Sequence, residues 1–204
     1  MNSSRKLTEQ GHQRKQELLD AAERLFSSLG YGPTRIADIC AAGGVAKGLF
    51  YWYFDTKEAL FAELVRSMRQ RLRRAQAAAM DDDADPIVRI RQGTEASVHF
   101  MAEHMSFFSL IETQRSDAGV SAVLLESAEI YTADIERLIA EAQGLGRIPD
   151  DTEPRLAALG VLGTVSYVSQ ALRSGRTDRS VEKLADFVGT WVVRALGAEI
   201  TANR

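Results

Sequence analysis

A chain of 204 residues, 45% of them hydrophobic and four of them proline, is long enough for a small head on a larger body, and without alternating apolar runs it excludes a β-rich fold. One cysteine excludes a disulfide framework, and no stretch of about 18 uninterrupted apolar residues offers a membrane span. The net charge of −3 hides an asymmetry: residues 1–74 carry 13 Lys and Arg against 8 Asp and Glu, a balance of +5, and the remainder balances at −8. A basic head on an acidic body is the charge footprint of a nucleic-acid reader joined to a part that stays off nucleic acid. The polar N-terminus lacks the apolar centre of a signal peptide, so a soluble, cytoplasmic, all-α protein is expected.

Met1 to Gly11 reads as an arm whose Arg5 and Lys6 can reach phosphates or a minor groove. A helix follows from His12 to Leu29, with Leu18, Ala22, Leu25 and Leu29 on one stripe, Leu19 and Phe26 beside it, and Gly30 as its stop. Arg14 and Lys15 would then sit in its first turn, against the helix dipole. Thr34 to Gly44 predicts a second, short helix with Thr34 as its cap, Ile36, Ile39 and Cys40 as its apolar stripe, and Gly43 or Gly44 in the left-handed turn that ends it. Val45 to Leu60 predicts a third helix running through a turn into a fourth. Val45, Phe50 and Phe54 can face a small core, which leaves Lys47, Leu49, Tyr51, Trp52 and Tyr53 largely on the other side. A soluble protein seldom exposes such a row of aromatics without a use for it.

Helix, glycine turn, helix is the arrangement that reads DNA. The string G-Y-x-x-T-x-I-x-D-I-x-x-x-G-G-V-x-K-G-x-x-Y-x-Y-F-x-x-K-E-A-L, from Gly30 to Leu60, resembles the DNA-binding domain of the TetR/AcrR family of transcriptional regulators, and the likeness runs from about Arg14 to Leu64. The resemblance implies a three-helix head over 1–56 and a ligand-binding and dimerisation body over 57–204, about nine helices in all. It implies DNA contacts from Lys47, Tyr51, Tyr53 and Lys57, whose polar groups suit phosphate oxygens and, for Lys47 and Tyr51, base edges. Thr34 can offer its hydroxyl to a phosphate, Gly48 lets the backbone approach, and Trp52 can pack on a thymine methyl or a sugar. Tyr53 has a second reading, as a plug in the head's own core. The chain departs from the family at Ala46, where a Ser or Thr usually caps the recognition helix, and at Leu49 and Arg35, each in place of a frequent Thr. Leu49 trades a hydrogen bond for apolar contact and Arg35 adds charge near the backbone, so the operator cannot be carried over from a relative.

Asp55 or Thr56 caps a long helix from Lys57 to about Met80, with Leu60, Leu64, Met68 and Leu72 as its stripe and Arg66, Arg69, Arg71, Arg73 and Arg74 as a solvated face. A pendulum-like shift of this helix would move the head. The acidic run Asp81 to Pro86 opens a helix from Ile87 to Met105; a short apolar segment follows, then a helix from Gly119 to Gln143 with Val120, Leu124, Ile135, Leu138 and Ile139 apolar, and a loop. The resemblance makes this middle part the effector body, and His99, Phe100, Met101, Met105, Phe108, Tyr131 and Tyr167 are its candidate lining, aromatic or polarizable with a few polar tips. His99 and His104 fall on different faces of a helix and no cluster of His, Cys and carboxylates completes a site, so neither metal nor cofactor is expected.

The last two helices, Glu153 to Arg173 and Ser180 to Leu196, are apolar or small nearly all round in the first and amphipathic in the second. The first is expected to be covered on most sides, with Gly160 and Gly163 as close-packing points. The resemblance implies a four-helix homodimer interface from Leu159, Leu162, Gly163, Leu184, Phe187, Val188 and Trp191. Two heads about a two-fold axis would read a near-palindromic double-stranded operator with half-sites roughly 34 to 36 Å apart, and a small hydrophobic or amphipathic effector would release it. No catalytic constellation is legible, so no enzyme is expected. The rival reading is a helical small-molecule carrier or interaction module, which would share the apolar body and have no use for the basic head.

Overall fold

The computed structural model describes residues 8–114 and 118–198, without the side chains of 118–120. The expected arm cations Arg5 and Lys6, and the side chain of Val120, lie outside the described residues. Among the described residues there are nine α-helices and no strand: α1 (Glu9–Leu29), α2 (Ile36–Ala42), α3 (Lys47–Tyr53), α4 (Lys57–Ala79), α5 (Pro86–Glu103), α6 (Met105–Gln114), α7 (Ala118–Gly144), α8 (Pro154–Arg173) and α9 (Val181–Ala195). Their contacts fall into two units, the described residues of Met1–Ser67 with those of Ser106–Val123, and Met68–Met105 with the described residues of Leu124–Arg204. Helices α4 and α7 each contribute to both.

In the first unit, α1 begins three residues earlier than the sequence suggests, because Thr8 caps it by accepting from the Gly11 N–H at 3.2 Å. The acidic Glu9 therefore occupies the first turn, and the dipole cost expected for Arg14 and Lys15 does not arise. Both are paired instead, Arg14 with Glu17 at 2.8 Å and Lys15 with Glu63. Leu18, Leu19, Ala21, Ala22 and Phe26 form the buried arc of α1; Leu25 is half-buried, and Leu29, in the last turn, is exposed, contrary to expectation. Phe26 packs with Tyr31 and Phe61, ring centroids 5.1 to 5.9 Å apart, which ties α1 and its following turn to α4. Thr56 caps α4, accepting from the Ala59 N–H at 3.0 Å. The apolar stripe Leu60, Leu64, Met68 and Leu72 is buried as its spacing requires.

In the second unit, Asp85 caps α5 with Pro86 in its first turn, and α5 packs against α8 and α9. The α5–α9 contact is close at Gly189, where a Cβ would lie 2.7 Å from Glu95 Oε1 and 3.1 Å from Arg91 Cγ. Arg91 binds Glu95 at 2.7 Å and Asp186 at 2.6 Å across the same seam. Helix α5 stops at Glu103, with His104 as its cap, so Met105 opens α6 rather than closing α5. Helix α8 is less covered than expected: Ala158, Val161, Val165 and Ser169 are buried, while Leu156, Leu159, Gly160, Gly163 and Tyr167 form an exposed stripe. Among the described residues no atom lies within 4 Å of a Cβ built at Gly160 or Gly163, so their close approach is not made there. No described helix is long and apolar enough to cross a membrane.

Candidate nucleic-acid interface

The turn between α2 and α3 follows from its two glycines. Gly44 takes φ +63°, and the N–H groups of Gly44 and Val45 reach back to the carbonyls of Ala41 and Cys40 at 3.3 and 3.0 Å, which closes the end of α2. At the other end of α2 the cap is not Thr34: the helix starts at Ile36, and the Asp38 carboxylate accepts from the Arg35 N–H at 3.0 Å. Thr34 is buried, 1% exposed, and its hydroxyl donates to the Gly30 carbonyl at 2.7 Å. The reading of this hydroxyl as a phosphate contact is corrected, since it is spent inside the head.

Seven-residue α3 begins at Lys47 with no side-chain cap, as Ala46 dictates. What holds it is burial: Phe50 and Phe54 are enclosed with their rings 5.8 Å apart. That anchoring turns Lys47, Gly48, Tyr51 and Trp52 to solvent, with Tyr51 48% and Trp52 47% exposed. Leu49 and Tyr53 are half-buried, Val45 is half-buried, and Arg35 is exposed beside the start of α2. A Cβ at Gly48 would meet nothing within 4 Å, so no contact among the described residues requires glycine there.

Two residues grouped with this face do internal work. The Tyr53 hydroxyl donates to the Gly11 carbonyl at 2.8 Å and ties α3 to α1. The Lys57 ammonium donates to the carbonyls of Tyr31 at 2.8 Å and Thr34 at 3.1 Å, approaches that of Gly32 at 3.4 Å, and lies 4.3 Å above the Tyr31 ring. The bonds to Tyr31 and Thr34 hold the turn that presents α2. The Tyr31 hydroxyl donates in turn to Glu58 at 3.1 Å. The Glu58 backbone N–H, against a smaller opposing effect of burial and with help from Thr56, Tyr31 and Lys57, holds that carboxyl below its ordinary value. Burial pushes the Cys40 thiol up, against Lys47.

The effector candidates do not form one group. Phe100, Met101 and Tyr131 are buried and His99 half-buried in the second unit, whereas Phe108 belongs to the first. Met105 is exposed. Tyr167 is 63% exposed, with Arg176 stacked 5.0 Å from its ring, so it is not lining within this chain. The sequence reading missed Gln76 and Ser97. The Gln76 amide donates to Ser97 Oγ at 2.9 Å and Tyr131 Oη at 3.0 Å, and burial pushes the Tyr131 hydroxyl up despite those bonds. The signal was present, because Gln76 continues the four-residue period of the α4 stripe. Among the dimer candidates, Leu159, Gly163, Phe187 and Trp191 are exposed and Leu162 is half-buried. Leu184 and Val188 face the core of their own unit, a correction that follows from their place on the α9 face that packs on α5. Among the described residues no three His, Cys, Asp or Glu could hold a metal ion.

Residues 18–64, which span α2, α3 and parts of α1 and α4, match the family described as bacterial regulatory proteins, tetR family. The transcriptional repressor DhaR of Mycobacterium sp. strain GP1 is 29% identical over 186 residues, covering 89% of this chain and 91% of its own. The match and this relative together indicate a TetR-family regulator. The regulator TtgR of Pseudomonas putida is 32% identical to this chain over 84 residues, 41% of this chain and 40% of its own. Two solved structures share the fold: the fatty acid degradation regulator FadR of Bacillus halodurans, with TM-score 0.80, 19% identity, and 91% and 97% of the two chains covered, and FadR of Bacillus subtilis in complex with stearoyl-CoA, with TM-score 0.76, 21% identity, and 87% and 97% covered. This chain is a DNA-binding transcriptional regulator.

Proposed function

We infer that the protein is a cytoplasmic, homodimeric repressor that leaves a near-palindromic operator when a small amphipathic molecule binds its body, and that it acts by binding rather than by catalysis. The observation that carries the DNA reading is the α3 face: Lys47, Gly48, Tyr51 and Trp52 are turned outward by two buried phenylalanines, on a helix without a cap of its own. A cation, two exposed aromatics and a glycine that nothing internal requires are the means by which a short helix meets phosphates and base edges. We assign DNA contact to Arg35, Lys47, Gly48, Leu49, Tyr51 and Trp52, and head positioning to Thr34, Tyr53 and Lys57. The division of labour follows the sequence, with DNA reading in 1–56 and effector binding and dimerisation in 57–204.

The dimer reading is supported by the exposed stripe Leu156, Leu159 and Tyr167 on α8 and by Phe187 and Trp191 on α9, too much exposed apolar surface on two neighbouring helices for a lone chain. The effector acts by differential binding: a body conformation that it prefers and that spaces the heads wrongly loses operator affinity by that preference alone. Helix α4, shared by the two units, is the element through which the change passes. Selection of bound sequences from a random duplex library tests this reading. Enrichment of a near-palindrome bound by two chains supports it; binding without sequence enrichment, insensitive to salt, returns the carrier reading to the front.

A further inference from the structure

The buried polar groups of the second unit divide into those that satisfy one another and those that do not. Gln76, Ser97 and Tyr131 are closed on themselves, with Ser97 Oγ passing its own hydrogen to the Gly93 carbonyl at 2.7 Å. Five of the unit's arginines have carboxylates: Arg73 has Asp134 at 3.0 Å, Arg89 has Glu141 at 3.0 Å, Arg91 has Glu95 and Asp186, Arg147 has Asp85 at 2.5 Å, and Arg155 has Glu129 at 2.5 Å. Arg69 on α4 differs from these five. Its Nε and Nη1 are closed to solvent and meet no acceptor among the described residues. Three of its five guanidinium N–H donors are thus buried and unanswered, where about 90% or more of buried polar groups find a partner.

Position sharpens the point. Arg69 precedes Gln76 by seven residues, which places the two within about 20° of each other around α4. It adjoins the buried Met68 and lies one turn from the buried Leu72. The buried polar side chains described in the chain are Thr34, Gln76, Thr94, Ser97, Thr132 and Ser169, none of them a carboxylate. A fixed positive charge therefore stands at the edge of an apolar stripe with no negative group of the interior to meet it, and a guanidinium is built to receive planar oxygen anions.

We propose that Arg69 is the anion receptor of the effector site, and that the effector is an amphipathic anion, a carboxylate or phosphate carried on an apolar body. This rests on the ligand-responsive reading above and names the chemical class of its ligand. The anion supplies the acceptors that Arg69 lacks, and the apolar body covers surface beside Met68 and Leu72. An unanswered guanidinium also burdens the ligand-free fold, so its removal relieves the free protein while it weakens the liganded one.

The test uses the full chain and three matched probes, sodium octanoate, octyl phosphate and 1-octanol, read by thermal melting and by release of the selected operator. Octanoate or octyl phosphate, whichever has the natural head group, is expected to bind about tenfold or more tighter than octanol. Arg69→Met is expected to lose that preference and, without ligand, to melt no lower than wild type. Arg74→Met, which removes an exposed charge from the same helix, keeps the preference. Octanol binding as tightly as the anions overturns the proposal and leaves the ligand-responsive reading standing. Undiminished anion preference in Arg69→Met, or a ligand-free melting point well below wild type, overturns the assignment to Arg69. Release of the operator by none of the three brings down the proposal and counts against the ligand-responsive reading with it.

Discussion

Two faces of this molecule expose aromatic side chains, and they differ in what surrounds them. On α3, Tyr51 and Trp52 stand beside Lys47 and the bare backbone of Gly48, on a helix of seven residues. On α8 and α9, Leu156, Leu159, Tyr167, Phe187 and Trp191 spread over two helices of 20 and 15 residues, with small Gly160 and Gly163 among them. The first is a compact, basic edge suited to a groove lined with phosphates. The second is a broad apolar surface suited to another surface of the same kind. The contrast teaches that exposed aromatics name a partner only through their neighbours: cation and glycine on one side, leucine and glycine on the other.

The largest effect expected is at the second face. Phe187→Asp with Trp191→Asp would put two charges into the proposed dimer core, at a cost of several kcal/mol, and sedimentation should show monomer with operator binding lost. A stable dimer carrying both charges would break the comparison at its apolar end. Tyr51→Ala should weaken the selected operator by about 1 to 3 kcal/mol with the dimer intact, read by titration at fixed salt. Gly189→Ala lies on neither face and serves as the control for packing. Its Cβ has no room against Glu95 and Arg91, so the melting point should fall by an amount worth about 1 to 3 kcal/mol. Ala46→Ser restores a cap to α3 and should stabilise the head by about 0.5 to 2 kcal/mol, visible as slower amide exchange in α3.

The smallest expected effect is a pH dependence. The Glu58 carboxyl is held below its ordinary value of 4.5. Its contribution is therefore complete above that value and is lost as pH falls through the lowered one. Glu58→Gln should melt below wild type near neutrality and converge with it in acid. Parallel melting curves at every pH would show that the Tyr31 and Thr56 contacts add nothing.

Eight of the nine described helices and the exposed α3 face were legible because they rest on local signals, such as a glycine pair at the end of α2, phenylalanines at helical spacing and Thr56 before α4, whereas α6 read only as a short apolar segment. Thr34 was misjudged for a physical reason, and the internal bonds of Lys57 went unforeseen for the same one. A hydroxyl or ammonium bonds a backbone carbonyl as readily as a phosphate, and only the fold shows that Gly30, Tyr31 and Thr34 have brought their carbonyls within reach. Periodicity placed Leu184 and Val188 on an apolar stripe correctly but could not say that α5 had already claimed it. Arg69 read as one more solvated arginine, because nothing in a run of arginines marks the member whose donors are enclosed. The composition of the body suggested aromatic lining, yet Tyr167 points outward and Phe108 belongs to the other unit, since composition carries no address.

The central claim is that DNA is met by the exposed edge of α3 while Lys57 works inside the head, and the salt dependence of operator binding tests it most directly. The slope of log affinity against log salt counts the phosphates neutralised. Lys47→Ala should lower that slope by about 1 with the melting point held, whereas Lys57→Ala should leave the slope unchanged and lower the melting point. A slope that falls with Lys57→Ala and stays fixed with Lys47→Ala would contradict the account.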